Sequence, residues 1–390
     1  MAIAAEAPAL PLADPASLGL DPERIERLCA FIEGQIAEGH YPGAQIAFAR
    51  HGKLAAFRSF GQARLTPTAV AAADESLWLM YSQTKVITAA AIWLLVEQGA
   101  LTFDDPIADH VPEFAAKSKG QITLFQLLTH QGGFPSANVT PEAWADHEVL
   151  RRQVCDFELE WWPGSKVQYH GSSAHWTAGV VIEAITGRDF RDFIRQELLD
   201  PVGIRDIRVG VPPELHDRCV DMHIRRDGEL VALADTMQPT DPMNLANTPE
   251  HRSAGAPNGG GYGSAAAIAA FYQMMLAGGT LNGVRLFSPR LIQYVTRNQT
   301  GDRVDENMGM PMHRGIGPHV RGTTPGIRGL GPIASPSTFG HGGVGSSYSW
   351  ADPESGLSFS YLSNCRSDEP FHSRRMDRIS NLAHAALVEV

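Results

Sequence analysis

What the chain lacks narrows its class first. Its 390 residues include only four cysteines, Cys29, Cys155, Cys219 and Cys365, with no Cys-x-x-Cys spacing. Neither a disulfide framework nor a zinc knuckle is expected, and the thiols are read as reduced. No run reaches the roughly 18 apolar residues that a membrane-spanning helix needs. Dense Lys/Arg blocks are also missing. With 32 basic against 43 acidic residues the formal charge is −11, which argues against a nucleic-acid partner. The opening segment "MAIAAEAPALPLADPASLG" has no basic region, and Glu6 and several prolines interrupt its apolar residues. It is not read as a secretory signal, so the expected location is cytoplasmic.

What is present suits a globular enzyme: 43% hydrophobic and 19% charged residues, with glycines (38) and prolines (26) spread over many turns and not arranged in a repeat. The length exceeds that at which one core usually stops growing, so two packed subdomains are expected. Asp21 and Pro22 predict a helix start, with the helix running over 22–38. Alternating apolar residues about His51–Gly52 predict a β-hairpin over 43–61. Helical patterns follow over 82–99, 123–130, 174–186 and 188–199. A glycine-rich loop at 259–263 leads into a helix capped by Ser264. Two strands about an Asp-Pro-Glu-Ser-Gly turn are expected in 346–364, then a closing helix over 371–388. Segment 300–340, rich in Gly, Pro and His, is read as loop. Strands near both ends of a helical middle predict a mixed α/β sheet domain with a large helical insertion.

The stretch "MYSQTKVITAAAIWLL" at 80–95 places Ser82 and Lys85 one helical turn apart at the mouth of an apolar helix. There, backbone N–H groups and the helix dipole favour negative charge developing on Ser82. An apolar interior would lower the pKa of Lys85, enabling it to take the serine proton. The pair alone is a weak signal, since a capping serine beside a surface lysine has the same spacing. Two further segments add to it. "WWPGSKVQYHGSSAHW" puts Tyr169 after a Pro-Gly turn and before a helix, and "FGHGGVGSSYSW" puts His341–Gly342–Gly343 at the start of a predicted strand.

In order and spacing, these segments resemble the motifs of the serine β-lactamase and penicillin-binding-protein family, nearest its class C-like branch, which includes the family VIII carboxylesterases. "LFQLLTHQGGFP" at 124–135 and the glycine loop before 265 fit the same pattern, which spans roughly 20–385. The resemblance implies a β-lactamase/transpeptidase-like α/β (α+β) fold, with a mixed antiparallel sheet, terminal helices and a large helical subdomain. Its division would be an N-terminal extension over 1–20, a sheet subdomain over 21–80 and 265–390, and a mainly helical subdomain over 81–264, with the site at the junction. It also implies Ser82 as nucleophile, Lys85 and Tyr169 as the proton-transfer pair, and His341, Gly342 and Gly343 as the third motif. The backbone N–H groups of Ser82 and Val344 would form the oxyanion hole. Neither a cofactor nor a metal is called for.

Two departures shape the functional expectation. Where class C lactamases have Tyr-x-Asn, this chain has Tyr169–His170–Gly171, leaving Ser172 or Ser173 as partial substitutes for the amide. Where lactamases and transpeptidases have Lys-Thr-Gly, it has His-Gly-Gly, without the ammonium and hydroxyl that meet a substrate carboxylate. Both losses favour uncharged acyl substrates. The expectation is a carboxylesterase-type serine hydrolase acting on small-molecule esters of small or medium acyl groups through an acyl-serine. The alternatives are a β-lactamase or D-amino-acid amidase or peptidase, an acyltransferase, and a non-catalytic binding member of the fold. No nucleic-acid or membrane partner is expected.

Trp161, Trp162, Tyr262 and Trp350 are candidate walls of the substrate pocket, with ordinary core packing as the alternative. Loops 203–260 and 300–340 are expected to shape that pocket. Gly259–Gly261 and Gly263 are read as a tight turn, not a phosphate cradle. The histidines show no metal-ligand spacing, and Asp104, Asp105 and Asp109 are read as turn and cap residues.

Overall fold

A computed structural model describes residues 9–233, 245–326 and 329–389. The first eight residues of the expected N-terminal extension lie outside the described residues, as do 234–244 and 327–328 within the two expected pocket-shaping loops. The main helices are α1 (Pro22–Ala37), α2 (Thr84–Glu97), α3 (Ser173–Thr186), α4 (Ala265–Leu276) and α5 (Phe371–His384). The main strands are β1 (Gly43–Arg50), β2 (Lys53–Arg64), β3 (Phe339–Gly343), β4 (Ser347–Asp352) and β5 (Leu357–Ser363).

Local chemistry sets most of these boundaries. The Asp21 carboxylate accepts from the backbone N–H groups of Glu23 and Arg24, with Pro22 at the first helical position of α1. His51 and Gly52 both adopt positive φ (54° and 72°), the geometry a two-residue hairpin turn needs to match strand twist. Thr123 and Gln126 form a reciprocal capping box on the short helix Leu124–Leu128, and Ser264 caps α4 through Ala267 N–H.

The main sheet has seven strands in the order His319–Val320, β3, β4, β5, β1, β2, Val70–Ala71, and each neighbouring pair is antiparallel. First and last parts of the chain thus meet at β5–β1, with Phe48 opposite Phe359. Side chains alternate across the sheet. Ala44, Ile46 and Phe48 face one core with Leu28 and Ile32 of α1 and Met376 and Ile379 of α5, whereas Ala47 and Ala49 face a second core with α4. The second face carries small residues, which lets the alanine-rich α4 lie close. There Ser358 Oγ donates to the Ala269 carbonyl at 2.9 Å. Burying a side chain such as Phe48 contributes about 1.5–3 kcal/mol, so this two-faced burial holds the sheet between its helical layers.

A second, three-stranded sheet positions the site. Gly261–Gly263 lies between Trp78–Leu79 and Ile207–Val209. The residues read from sequence as part of a loop therefore include a short central strand. A Cβ on Gly261 would sit 2.7 Å from Thr84 Oγ1, which accepts the Gly261 N–H at 2.9 Å, so this close approach to α2 requires glycine. The expected helix over 188–199 divides into Phe190–Phe193 and a π-helical turn, Ile194–Leu199. Segment 300–340 contains short pairings, Val304–Asp305 with Met310–Pro311 and His319–Val320 with β3.

Candidate active site

Ser82 sits in a 3-10 turn, Tyr81–Gln83, immediately before α2. Tyr81 is held at φ 47°, a left-handed conformation that costs a non-glycine residue roughly 1–2 kcal/mol. Strand β3 ends against this turn: a Cβ on Gly343 would meet the Met80 carbonyl at 2.5 Å and Ser347 Oγ at 2.4 Å. Glycine there brings Val344 beside Ser82, and both line one cleft. His341, Gly342 and Gly343 form the last three positions of the strand, where the sequence suggested its start.

Helix α2 is apolar on all sides, and it is buried on all sides, which leaves Lys85 no route to solvent. Its Nζ donates to Ser82 Oγ (3.2 Å), the Gly171 carbonyl (2.8 Å) and the Asn258 carbonyl (2.6 Å). All three acceptors are neutral. Burial without a carboxylate, assisted by the nearby Arg314 guanidinium, lowers the Lys85 pKa to about 7. In the neutral amine, two N–H bonds can satisfy the two carbonyls while the lone pair meets the serine hydroxyl.

Tyr169 shares a hydrogen bond with the Ser82 side chain, and its ring centroid lies 5.2 Å from Lys85 Nζ. Burial raises its pKa to about 12 despite that bond and the Arg314 charge, so the phenol is neutral near pH 7. Its backbone is clamped. Gln168 N–H donates to the His130 carbonyl (3.0 Å), Tyr169 N–H to Asp305 Oδ1 (3.4 Å) and His170 N–H to His130 Nδ1 (3.0 Å). His130 itself has φ 61° and packs its ring 4.7 Å from that of Tyr169. Accepting at Nδ1 requires a neutral imidazole, in accord with a pKa that burial pushes well below the usual value.

His341 is 1% exposed, and its Nδ1 lies 2.8 Å from the Gly342 carbonyl. Burial, with Lys85 nearby, lowers its pKa to about 3, so the third motif presents no cation. The ring packs 4.1 Å from His319 and lies outside the cleft lining. Of the serines that could replace the missing amide, Ser172 lines the cleft and donates to Asn138 Oδ1 at 2.5 Å, whereas Ser173 is buried and donates to the Phe134 carbonyl.

The cleft has a volume of about 380 Å³ and is walled by Pro135, Val139, Trp144, Trp176 and Ala256 beside Ser82 and Tyr169. The four aromatic residues expected as walls are elsewhere. Trp350 points to the α1/α5 side because alternation on β4 puts it there, where its Nε1 donates to Ser380 Oγ and its ring stacks on His384 at 4.0 Å. Tyr262 is buried in a small core with Leu77 and Leu79, its hydroxyl donating to the Ala246 carbonyl. Trp161 packs edge-on to His170, outside the lining, and Trp162 is 71% exposed on the adjoining turn. Sequence reasoning missed Trp144 and Trp176, since a wall residue has no local signature, and it missed Asp305 and Arg314, because they lie on a stretch without periodicity. His147, Glu183 and Asp189 form an acidic cluster apart from the cleft, but Arg191 is paired with Asp189 there. Of the four cysteines, all are free and buried. No helix among the described residues is long and apolar enough to cross a membrane.

The antiparallel sheet, with the terminal helices on one face and α4 on the other, together with a large helical subdomain, defines a β-lactamase/transpeptidase-like fold. The chain belongs to the Beta-lactamase family, whose profile matches residues 28–384. It is 26% identical over 322 residues to the esterase/beta-lactamase LipL of Mycobacterium tuberculosis, covering 74% of this chain and 70% of that protein. A penicillin-binding protein homolog from Caulobacter crescentus superimposes with a TM-score of 0.79 at 28% identity, covering 95% of this chain and 99% of the other. A family VIII carboxylesterase superimposes with a TM-score of 0.78 at 26% identity, covering 93% and 98%. No single branch stands out among these likenesses, so the expected placement nearest the family VIII carboxylesterases narrows to membership of the family as a whole.

Proposed function

We propose that the protein hydrolyses uncharged carboxylic esters through an acyl intermediate on Ser82. The observation that carries this reading is the Lys85 amine, fully buried among three neutral acceptors, one of them Ser82 Oγ at 3.2 Å. Near pH 7 a sizeable fraction of this amine is unprotonated. Lys85 takes the Ser82 proton as Oγ attacks the ester carbonyl, and the N–H groups of Ser82 and Val344 stabilise the oxyanion. Collapse breaks the bond to the alkoxide, which takes the Tyr169 hydroxyl proton. The Lys85 ammonium restores that proton to Tyr169. Water then attacks the acyl carbon by the same route in reverse, releasing the acid and regenerating Ser82.

The cleft supports this choice of substrate class. Among the described residues its lining includes no lysine or arginine, and His251, the one histidine there, is held neutral by burial with a pKa lowered to about 4. A carboxylate-bearing ligand would lose its hydration there without gaining an ion pair. The test is a parallel assay of the protein and Ser82→Ala on p-nitrophenyl acetate, butyrate and octanoate, on nitrocefin, and on a D-alanyl p-nitroanilide. Ester kcat/KM well above the others, and lost in the variant, is the expected result. Dominant nitrocefin or D-alanyl turnover would overturn the ester assignment, and activity surviving Ser82→Ala would overturn the nucleophile.

A further inference from the structure

Segment 300–340 brings a buried ion pair to the site. Arg314 and Asp305 are 2% and 0% exposed, with Arg314 Nη2 and Nε 2.5 and 3.1 Å from Asp305 Oδ2. The other carboxylate oxygen, Oδ1, accepts the N–H groups of Tyr169 (3.4 Å) and Asn307 (3.0 Å). The pair is therefore ordered, with the carboxylate on the Tyr169 backbone and the guanidinium carbon 5.0 Å from the centroid of its ring. Lys85 Nζ packs 5.2 Å from the same centroid. Arg314 Nη1 has no hydrogen-bond partner among the described residues. A pair serving packing alone would gain little from such an arrangement, since buried ion pairs are often replaceable by apolar residues without loss of stability.

We propose that Arg314, oriented by Asp305, is a positioning residue that supplies to the Lys85–Tyr169 pair the fixed positive charge absent from this chain's His-Gly-Gly motif. The inference rests on the proposed roles of Lys85 and Tyr169. The other titratable groups packed around them, His130, His170, His175, His319 and His341, are all held neutral by burial. That leaves Arg314 as the charge that disfavours protonation of Lys85; Asp305, ion-paired with it and opposing it at Tyr169, is expected to offset part of that effect.

The opposed signs of the two partners make the test. The chain has only five lysines, Lys53, Lys85, Lys117, Lys119 and Lys166, so Lys85 can be titrated directly by NMR of protein labelled with 13C at lysine Cε, with Lys85→Met assigning the signal. Removing the like charge in Arg314→Gln is expected to raise the Lys85 midpoint by about one pH unit. Removing the counterweight in Asp305→Asn should lower it, and Arg314→Lys should leave it near the parent value. The acid limb of ester kcat/KM should follow the same order. Midpoints that stay put in folded Arg314→Gln and Asp305→Asn, or that move together, overturn the inference, because a packing role predicts no opposite shifts. If Arg314→Gln does not fold, a midpoint that fails to fall in Asp305→Asn overturns it alone. Since the titration needs no turnover, an absence of Ser82-dependent ester hydrolysis would overturn the proposed function while still leaving the charge effect measured.

Discussion

Lys85→Met isolates the energetic consequence of holding an amine inside an apolar helix. In the unfolded chain the lysine titrates at its ordinary value of 10.5, and in the folded protein at about 7. Between those values the unfolded state binds one more proton than the folded state, so the stability of the parent rises with pH in this window, by about 1.4 kcal/mol per pH unit. Below the folded value both states carry the charge and the penalty is fully present, on the order of 5 kcal/mol. Above the unfolded value it vanishes. Methionine has similar volume and no charge, but it leaves the Gly171 and Asn258 carbonyls without their donor, at about 1–3 kcal/mol each. The variant is thus expected to match or exceed the parent in stability near pH 6 and to fall progressively behind it from pH 7.5 to 9.5. Urea unfolding of both proteins at four pH values measures this difference, and groups common to both cancel. A stability difference independent of pH would refute the reasoning, because it would mean the folded protein leaves the lysine pKa unmoved.

On a p-nitrophenyl ester, kcat/KM should rise with pH through a midpoint near 7 as Lys85 loses its proton, and no decline should come from Tyr169 below pH 10, since its pKa is raised to about 12; a midpoint near 5 would assign the limb to another group. Gly343→Ala should keep the far-ultraviolet spectrum but lower ester kcat/KM by about 100-fold, because its Cβ would push β3 from the Ser82 turn; parent-like kinetics would show that the close approach is dispensable. Trp144→Ala should raise the octanoate-to-acetate ratio of kcat/KM by enlarging the cleft wall. Trp350→Phe should leave that ratio unchanged while lowering stability by about 1–3 kcal/mol through the lost indole hydrogen bond, as read from thermal unfolding.

Much of the architecture is written locally. Asp21–Pro22, the His51–Gly52 turn, the Ser264 cap and the two strands about the 353–356 turn all depend on residues a few positions apart, and they form where the pattern places them. The Ser82–Lys85 spacing likewise settles that the two side chains can meet, because one helical turn separates them. What local spacing could not decide is how far that lysine would be from water and what else would touch it. Burial of α2 on all sides, the Gly171 and Asn258 carbonyls and the Arg314 charge come from segments roughly 90 to 230 residues away, and they exist only once the subdomains close on one another. The same holds for the cleft wall. A tryptophan on a strand faces whichever layer the pleat assigns it, so Trp350 went to the terminal helices, while Trp144 and Trp176, on helical segments with no motif of their own, line the cleft beside Ser82. Motif chemistry is carried by neighbours in sequence; the proton affinity and shape of the site are properties of the assembled dielectric around them.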